Sequence, residues 1–214
     1  MKIEVLLFDL GKVLINFDFQ LGVSALHACC PLSRDEFERV LWDKVWVRRY
    51  ERGEISTRDF HRYLCETAKL NLEVDEFCRI WSSVFLPELL ISEELLAALR
   101  ERYRLILVSN TNEAHVDFIR SNYRVFDYFD HRVLSFEVGS LKPDSKIFEH
   151  AIAAAARPPE ALFFTDDREE NVTAARRLGI HAHQFLSESR LVEALQGAGV
   201  DVEGIRGRRP NSCR

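Results

Sequence analysis

Short apolar runs punctuate this chain, and between them apolar residues recur at helical spacing. Five segments read as strands, at residues 3–8, 104–109, 132–135, 161–165 and 180–185. The first, second and fourth are nearly continuous in Val, Leu, Ile and Phe, as parallel strands covered on both faces should be. From about residue 90 onward, helical patterns alternate with them. Ser92 followed by Glu93 and Glu94 opens one helix with a capping side chain and an acidic first turn. Pro143 begins another in this reading, with Ile147, Phe148, Ala151, Ile152 and Ala155 on one face. A third covers residues 171–178 and stops at Gly179. Alternation of this kind predicts an open α/β sheet with right-handed crossovers.

Residues 16–88 interrupt the alternation. They show no clear strand but several helix starts, including Ser33–Glu36 and Ser56–Asp59, which fit the capping-box pattern. Phe37, Val40, Leu41, Phe60, Leu64, Phe77, Ile80, Trp81 and Phe85 recur at helical spacing and read as the core of a helical insert. The expected division is therefore a sheet core at 1–15 and 89–205, an insert at 16–88, and a basic tail at 206–214 that is expected to be flexible.

Composition narrows the classes without choosing one. A chain of 214 residues can bury one substantial core, and 47% hydrophobic with 29% charged residues is ordinary for a soluble fold. A net charge of −5 gives no basic footprint for nucleic acid, and no stretch approaches the ~20 apolar residues of a membrane span. The five cysteines lack CxxC spacing, and the start of the chain is a poor signal peptide, so a cytoplasmic protein with reduced thiols is expected.

In an open α/β sheet, ligands collect at the carboxyl ends of the strands. The polar residues there are Asp9 after the first strand, Ser109 and Asn110 after the second, Lys142 after the third and its loop, and Asp166–Asp167 after the fourth. An aspartate, a hydroxyl with an amide, a lysine and a carboxylate pair would meet at one spot. Any one of them could simply cap a turn or sit on the surface; four in this order point to phosphoryl transfer. A carboxylate can attack phosphorus and form an aspartyl-phosphate. Mg²⁺ suits a few carboxylates plus water and phosphate oxygens, and Lys142 and Ser109 can hold the phosphate.

With these motifs the chain resembles the haloacid dehalogenase superfamily over residues 1 to 188. The segments Asp9-Leu-Gly, Ser109-Asn-Thr-Asn, Lys142-Pro and Asp166-Asp167 with Asn171 are similar to one branch in particular. It contains bacterial phosphatases of the glucose-1-phosphate type and the amino-terminal phosphatase domain of soluble epoxide hydrolases. The stretch Glu51-Arg-Gly-Glu-Ile-Ser56 shares that likeness. The resemblance implies a Rossmann-like core with an inserted helical cap, and a Mg²⁺-dependent phosphatase acting on a small phosphorylated metabolite, a sugar phosphate by preference. It implies Asp9 as nucleophile, and Ser109, Asn110 and Lys142 on the phosphate. The metal would be held by Asp9, the Gly11 carbonyl and Asp167, with Asp166 secondary.

One position departs from the pattern. Family phosphatases usually carry a second aspartate two residues after the nucleophile, to protonate the leaving oxygen; here it is Gly11. Asp18, a cap side chain or water could take its place, or the substrate could need little help. Two other readings stay open: a metal-free 2-haloacid dehalogenase, and a weakly active or non-catalytic regulatory protein. Trp42, Trp46, Arg48, Arg49, Tyr50 and Arg52 could face the site, whereas His181 and His183 read as structural.

Overall fold

The computed structural model describes residues 2–202, so the tail expected at 206–214 and Cys213 lie outside the described residues. The strands are β1 (Val5–Phe8), β2 (Ile15–Phe17), β3 (Phe85–Leu89), β4 (Arg104–Ser109), β5 (His131–Leu134), β6 (Leu162–Asp166) and β7 (His181–Gln184). The helices are α1 (Phe19–His27), α2 (Arg34–Leu41), α3 (Lys44–Glu51), α4 (Thr57–Thr67), α5 (Val74–Trp81), α6 (Glu93–Arg100), α7 (Glu113–Asn122), α8 (Ser135–Val138), α9 (Ser145–Ala155), α10 (Glu169–Arg177) and α11 (Glu188–Gly197). All five expected strands are present, β4 with the expected bounds and the others with ends displaced by at most two residues.

Five strands form one sheet in the order β5-β4-β1-β6-β7, every pair parallel. Alternating side chains of β1 explain the continuous apolar run. Leu6 and Phe8 pack with Leu95 and Leu99 of α6, Ile119 of α7 and Leu191 of α11. Val5 and Leu7 pack on the other face with Ile147, Phe148 and Ala151 of α9 and Ala175 of α10. Helices on both faces of a parallel sheet give a three-layer, Rossmann-like architecture.

Helices α1 to α5 fall between β2 and β3 and enclose a third buried cluster. Phe37, Leu41, Phe60, Leu64, Phe77, Ile80 and Trp81 belong to it, joined by Ala114 of α7. Both expected capping boxes are formed, at Ser33 with Glu36 and at Ser56 with Asp59.

Three expectations need correction. Residues 16–88 do contain strand: Ile15 pairs Leu89 and Phe17 pairs Phe85 in an antiparallel ribbon, through which the chain enters and leaves the helical layer. Phe85 therefore sits on a strand rather than in a helical stripe. Helix α9 begins at Ser145 rather than Pro143, because Asp144 keeps an extended ψ of 140°. Helix α10 begins at Glu169, two residues before the expected start, and still ends just before Gly179, whose φ is +86°.

Candidate active site

Strand register builds the site. Phe8 lies level with Leu107 of β4 and Thr165 of β6. One residue further, Asp9 leaves the sheet beside Asp166, and its N–H donates to the Thr165 carbonyl at 3.0 Å. Ser109 closes β4 on one side, and Lys142 arrives from the loop after α8.

Lys142 is the hub. Its side chain is 1% exposed, and its Nζ lies 2.7 Å from Asp9 Oδ1 and 2.6 Å from Asp166 Oδ2. Burial alone would lower its pKa, but the two carboxylates hold it charged and raise its pKa above the usual lysine value. Asp9 moves the other way from a normal carboxylate. Burial pushes it up to about 7, with Lys142 opposing the rise and Asp166 adding to it. Asp9 Oδ1 also accepts the Leu10 N–H at 2.7 Å; no hydrogen bond from the described chain reaches Oδ2.

The two aspartates after β6 differ. Asp166 is fully buried and satisfied, its Oδ1 accepting from the Arg168 N–H at 2.9 Å and Asn171 Nδ2 at 2.8 Å. Asp167 is half-buried, and its carboxylate accepts from no other described residue. Its pKa is raised by burial and then by Asp166. Ligand oxygens of Asp9, Asp166 and Asp167 all lie within 4.8 Å of one another. An all-oxygen set of this charge fits a small hard divalent cation such as Mg²⁺. The Gly11 carbonyl nearby accepts no hydrogen bond from the described residues.

Ser109 is buried, and its Oγ makes one long hydrogen bond, 3.4 Å to the Asn110 carbonyl. Asn110, expected on the phosphate, also bonds the backbone of Lys142. Its side-chain oxygen accepts the Lys142 N–H at 2.7 Å, and its Nδ2 donates to the Lys142 carbonyl at 2.9 Å. The amide oxygen and one of the two Nδ2 N–H groups are engaged, so Asn110 braces Lys142 and keeps its second amide N–H and its backbone N–H for an anion. Ser135 supports the same loop, accepting from Thr111 N and donating to the Thr111 carbonyl. Sequence reading missed these braces, because a side chain that holds another carries no spacing signal.

A cavity of about 100 Å³ opens at Leu10 and Gly11, the two residues after Asp9, and at the end of β4. Its floor includes Gly11, Ser109 and Asn110, and its walls include Phe17, Trp42 and Trp81. Glu51, the last residue of α3, also lines it and carries no site role in the sequence reading above. The expected facing cluster divides. Trp42 and Tyr50 line the cavity. Trp46 instead stacks on Tyr63 at 4.2 Å with Arg49 over its ring, and Arg52 pairs with Asp144 at 3.3 Å. Asp18 is exposed and spent on capping α1, accepting from the Gln20 N–H. A larger groove of about 590 Å³ between α4, α5 and α7 is lined by none of Asp9, Ser109, Asn110, Lys142, Asp166 and Asp167.

Comparison with known proteins agrees with this geometry. Residues 3–179 match the family described as haloacid dehalogenase-like hydrolase. The D-ribitol-5-phosphate phosphatase of Bacteroides thetaiotaomicron is 25% identical over 188 residues, covering 85% of this chain and 91% of that one. A crystal structure of a HAD family enzyme from the same organism, as its magnesium complex, superposes with a TM-score of 0.77 at 29% identity, covering 90% of this chain and 99% of that one. A structure of that enzyme with magnesium and inorganic phosphate gives 0.69 at 28% identity, over 86% and 95%.

Proposed function

The chain belongs to the haloacid dehalogenase-like hydrolases, and from that premise we propose that it is a Mg²⁺-dependent phosphatase with Asp9 as covalent nucleophile. The observation that carries this reading is the convergence of Asp9, Asp166 and Asp167 around the buried Lys142. Three carboxylates against one lysine leave a negative excess that a cation offsets. Asp9, Asp167 and the Gly11 carbonyl would hold Mg²⁺, which supplies charge neutralisation at the phosphoryl oxygens when bound.

The protein's own groups divide the remaining work. Lys142 and the Leu10 N–H fix Asp9 Oδ1, which leaves Oδ2 to attack phosphorus. Ser109 Oγ, with only its long bond to Asn110, is free to donate to a phosphate oxygen. Asn110 holds Lys142 in place. Asp166, saturated by three donors, keeps Lys142 charged and contributes its field to the cation. Residues 16–88 act as a cap that closes one side of the cavity and selects the substrate.

The substrate is a small phosphorylated metabolite, with a sugar or polyol phosphate as first candidate. Support comes from the likeness to the ribitol-5-phosphate phosphatase, from aromatic walls that can stack on a carbon chain, and from Trp81, whose buried Nε1–H has no partner among the described residues. The test is phosphate release from an aryl phosphate and a panel of sugar and polyol phosphates, with Mg²⁺ and with a chelator. Mg²⁺-dependent release, abolished in Asp9→Asn and by the chelator, is expected. Full activity in Asp9→Asn would remove the nucleophile assignment. Halide release from 2-haloacids without metal would replace the phosphatase by a dehalogenase, and ligand binding without turnover would make the protein regulatory.

A further inference from the structure

We propose that Glu51 is the proton donor of this enzyme, reaching the leaving oxygen from the helical layer and filling the role that Gly11 cannot. The inference rests on the phosphatase reading above and concerns the step that Asp9 and the metal leave undone.

The position normally expected to carry the acid is closed by structure as well as by sequence. A Cβ on Gly11 would lie 2.7 Å from Phe17 Cε1. That ring is packed against Phe19 at 4.6 Å and Phe85 at 6.4 Å, with Lys12 Nζ 4.7 Å from its centroid. Lys12 is itself tied down, donating to Asn16 Oδ1 and to the Phe17 carbonyl. The site is built around a glycine here, so a proton has to come from another wall.

Three titratable side chains line the cavity, and two are engaged. The Tyr50 hydroxyl donates to Thr57, which donates on to Glu113, and burial raises the phenol far above its usual value. His115 has both ring nitrogens occupied, by Asn112 Nδ2 and the Trp81 carbonyl, and burial pushes it down to about 4. Glu51 has no hydrogen bond from the described chain. Burial pushes its carboxyl up to about 7, against the opposing fields of Arg168 and Arg48, so it holds a proton near neutrality.

The chain just after Glu51 is anchored. Gly53, two residues on, has φ +68°, and a Cβ there would come 2.1 Å from the Phe136 carbonyl oxygen. Arg52 pairs with Asp144, two residues after Lys142. The end of α3 is thus clamped to the segment that carries the catalytic lysine.

The step balances. Asp9 Oδ2 forms a bond to phosphorus while the bond from phosphorus to the leaving oxygen breaks, and that oxygen takes its proton from Glu51 and departs as an alcohol. The Glu51 carboxylate then removes a proton from water attacking phosphorus; the bond to Asp9 breaks, inorganic phosphate leaves, and Glu51 is protonated again.

The experiment compares Glu51→Gln with wild type, with Mg²⁺, on an alkyl phosphate and on p-nitrophenyl phosphate. An alkoxide needs a proton to leave, whereas nitrophenolate scarcely does. The expected result is a fall in kcat/KM on the alkyl ester at least about 100-fold larger than the fall on the aryl ester. Equal losses on both, or no loss on either, would overturn the proposal while leaving the phosphatase standing. A wild type that releases phosphate from neither ester would overturn the phosphatase reading and this inference with it. Melting temperatures of both proteins, with and without Mg²⁺, separate misfolding from a lost proton; a variant that unfolds early loses both esters alike and counts against the proposal.

Discussion

At the scale of single residues, Lys142 carries the greatest consequence per atom. It is a charge buried between two others, and it is tolerable only because both partners sit within 2.7 Å. Lys142→Met should abolish turnover and cost about 3–5 kcal/mol, the usual result of leaving buried charges unpaired. The cost should grow with pH, since Asp9, pushed up to about 7 by burial, loses its proton on that rise and would then face Asp166 with no cation between them. Chemical denaturation at pH 5 and pH 8 checks this, and equal losses at both would count against the arrangement. Lys142 itself was legible as a lysine before a proline, at the end of the loop after the third strand. Its brace was not: only the fold shows the Asn110 amide hydrogen-bonded to the Lys142 backbone.

At the scale of elements, caps and periodicity were the readable features. Ser33-x-x-Glu36 and Ser56-x-x-Asp59 name helix starts because a side chain three residues away answers an orphan backbone N–H. Ser56→Ala should destabilise the protein by about 1 kcal/mol, read as a lower unfolding midpoint in urea. Because Ser56 follows the clamped turn at Gly53, a modest drop in turnover should accompany it. The β2–β3 ribbon escaped notice because three residues give no period, and Pro87 and Glu88 interrupt the apolar run of its partner. The start of α9 was misplaced because proline is favoured at a first helical position but does not require one.

At the scale of the whole molecule, the site loads the fold with charge. In the metal-free protein the folded pKa of Asp9, about 7, lies above its ordinary value of 3.8. The folded state therefore holds a proton that the unfolded chain has released, so this contribution is complete near pH 4 and is lost as pH rises through about 7. His115, pushed down to about 4, acts with the opposite sign below pH 6.5, so the contrast is best read as a difference between variants. Without metal, Asp9→Asn should match wild type near pH 4 and exceed it in melting temperature at pH 8, where only the wild type must bury the charge. Mg²⁺ should then raise the wild type more than the variant. A difference that does not change with pH would show that Asp9 is not a strained carboxylate.

Taken by itself, the sequence determined which residues could react and which layers could form. Asp9, Ser109 and Asp166–Asp167 stand at strand ends, Lys142 stands at the end of the loop after the third strand, and alternation with apolar helices dictates a parallel sheet, because strand ends, caps and burial are local properties of a chain. Tertiary structure decided what those groups do to one another. It set Asp166 against Lys142 and left Asp167 open, turned Asn110 into a brace, placed the Phe17 ring over Gly11, and carried Glu51 from the end of α3 to the cavity. Each depends on distance between residues far apart in sequence, where desolvation and Coulomb interaction fix protonation and no periodicity records it.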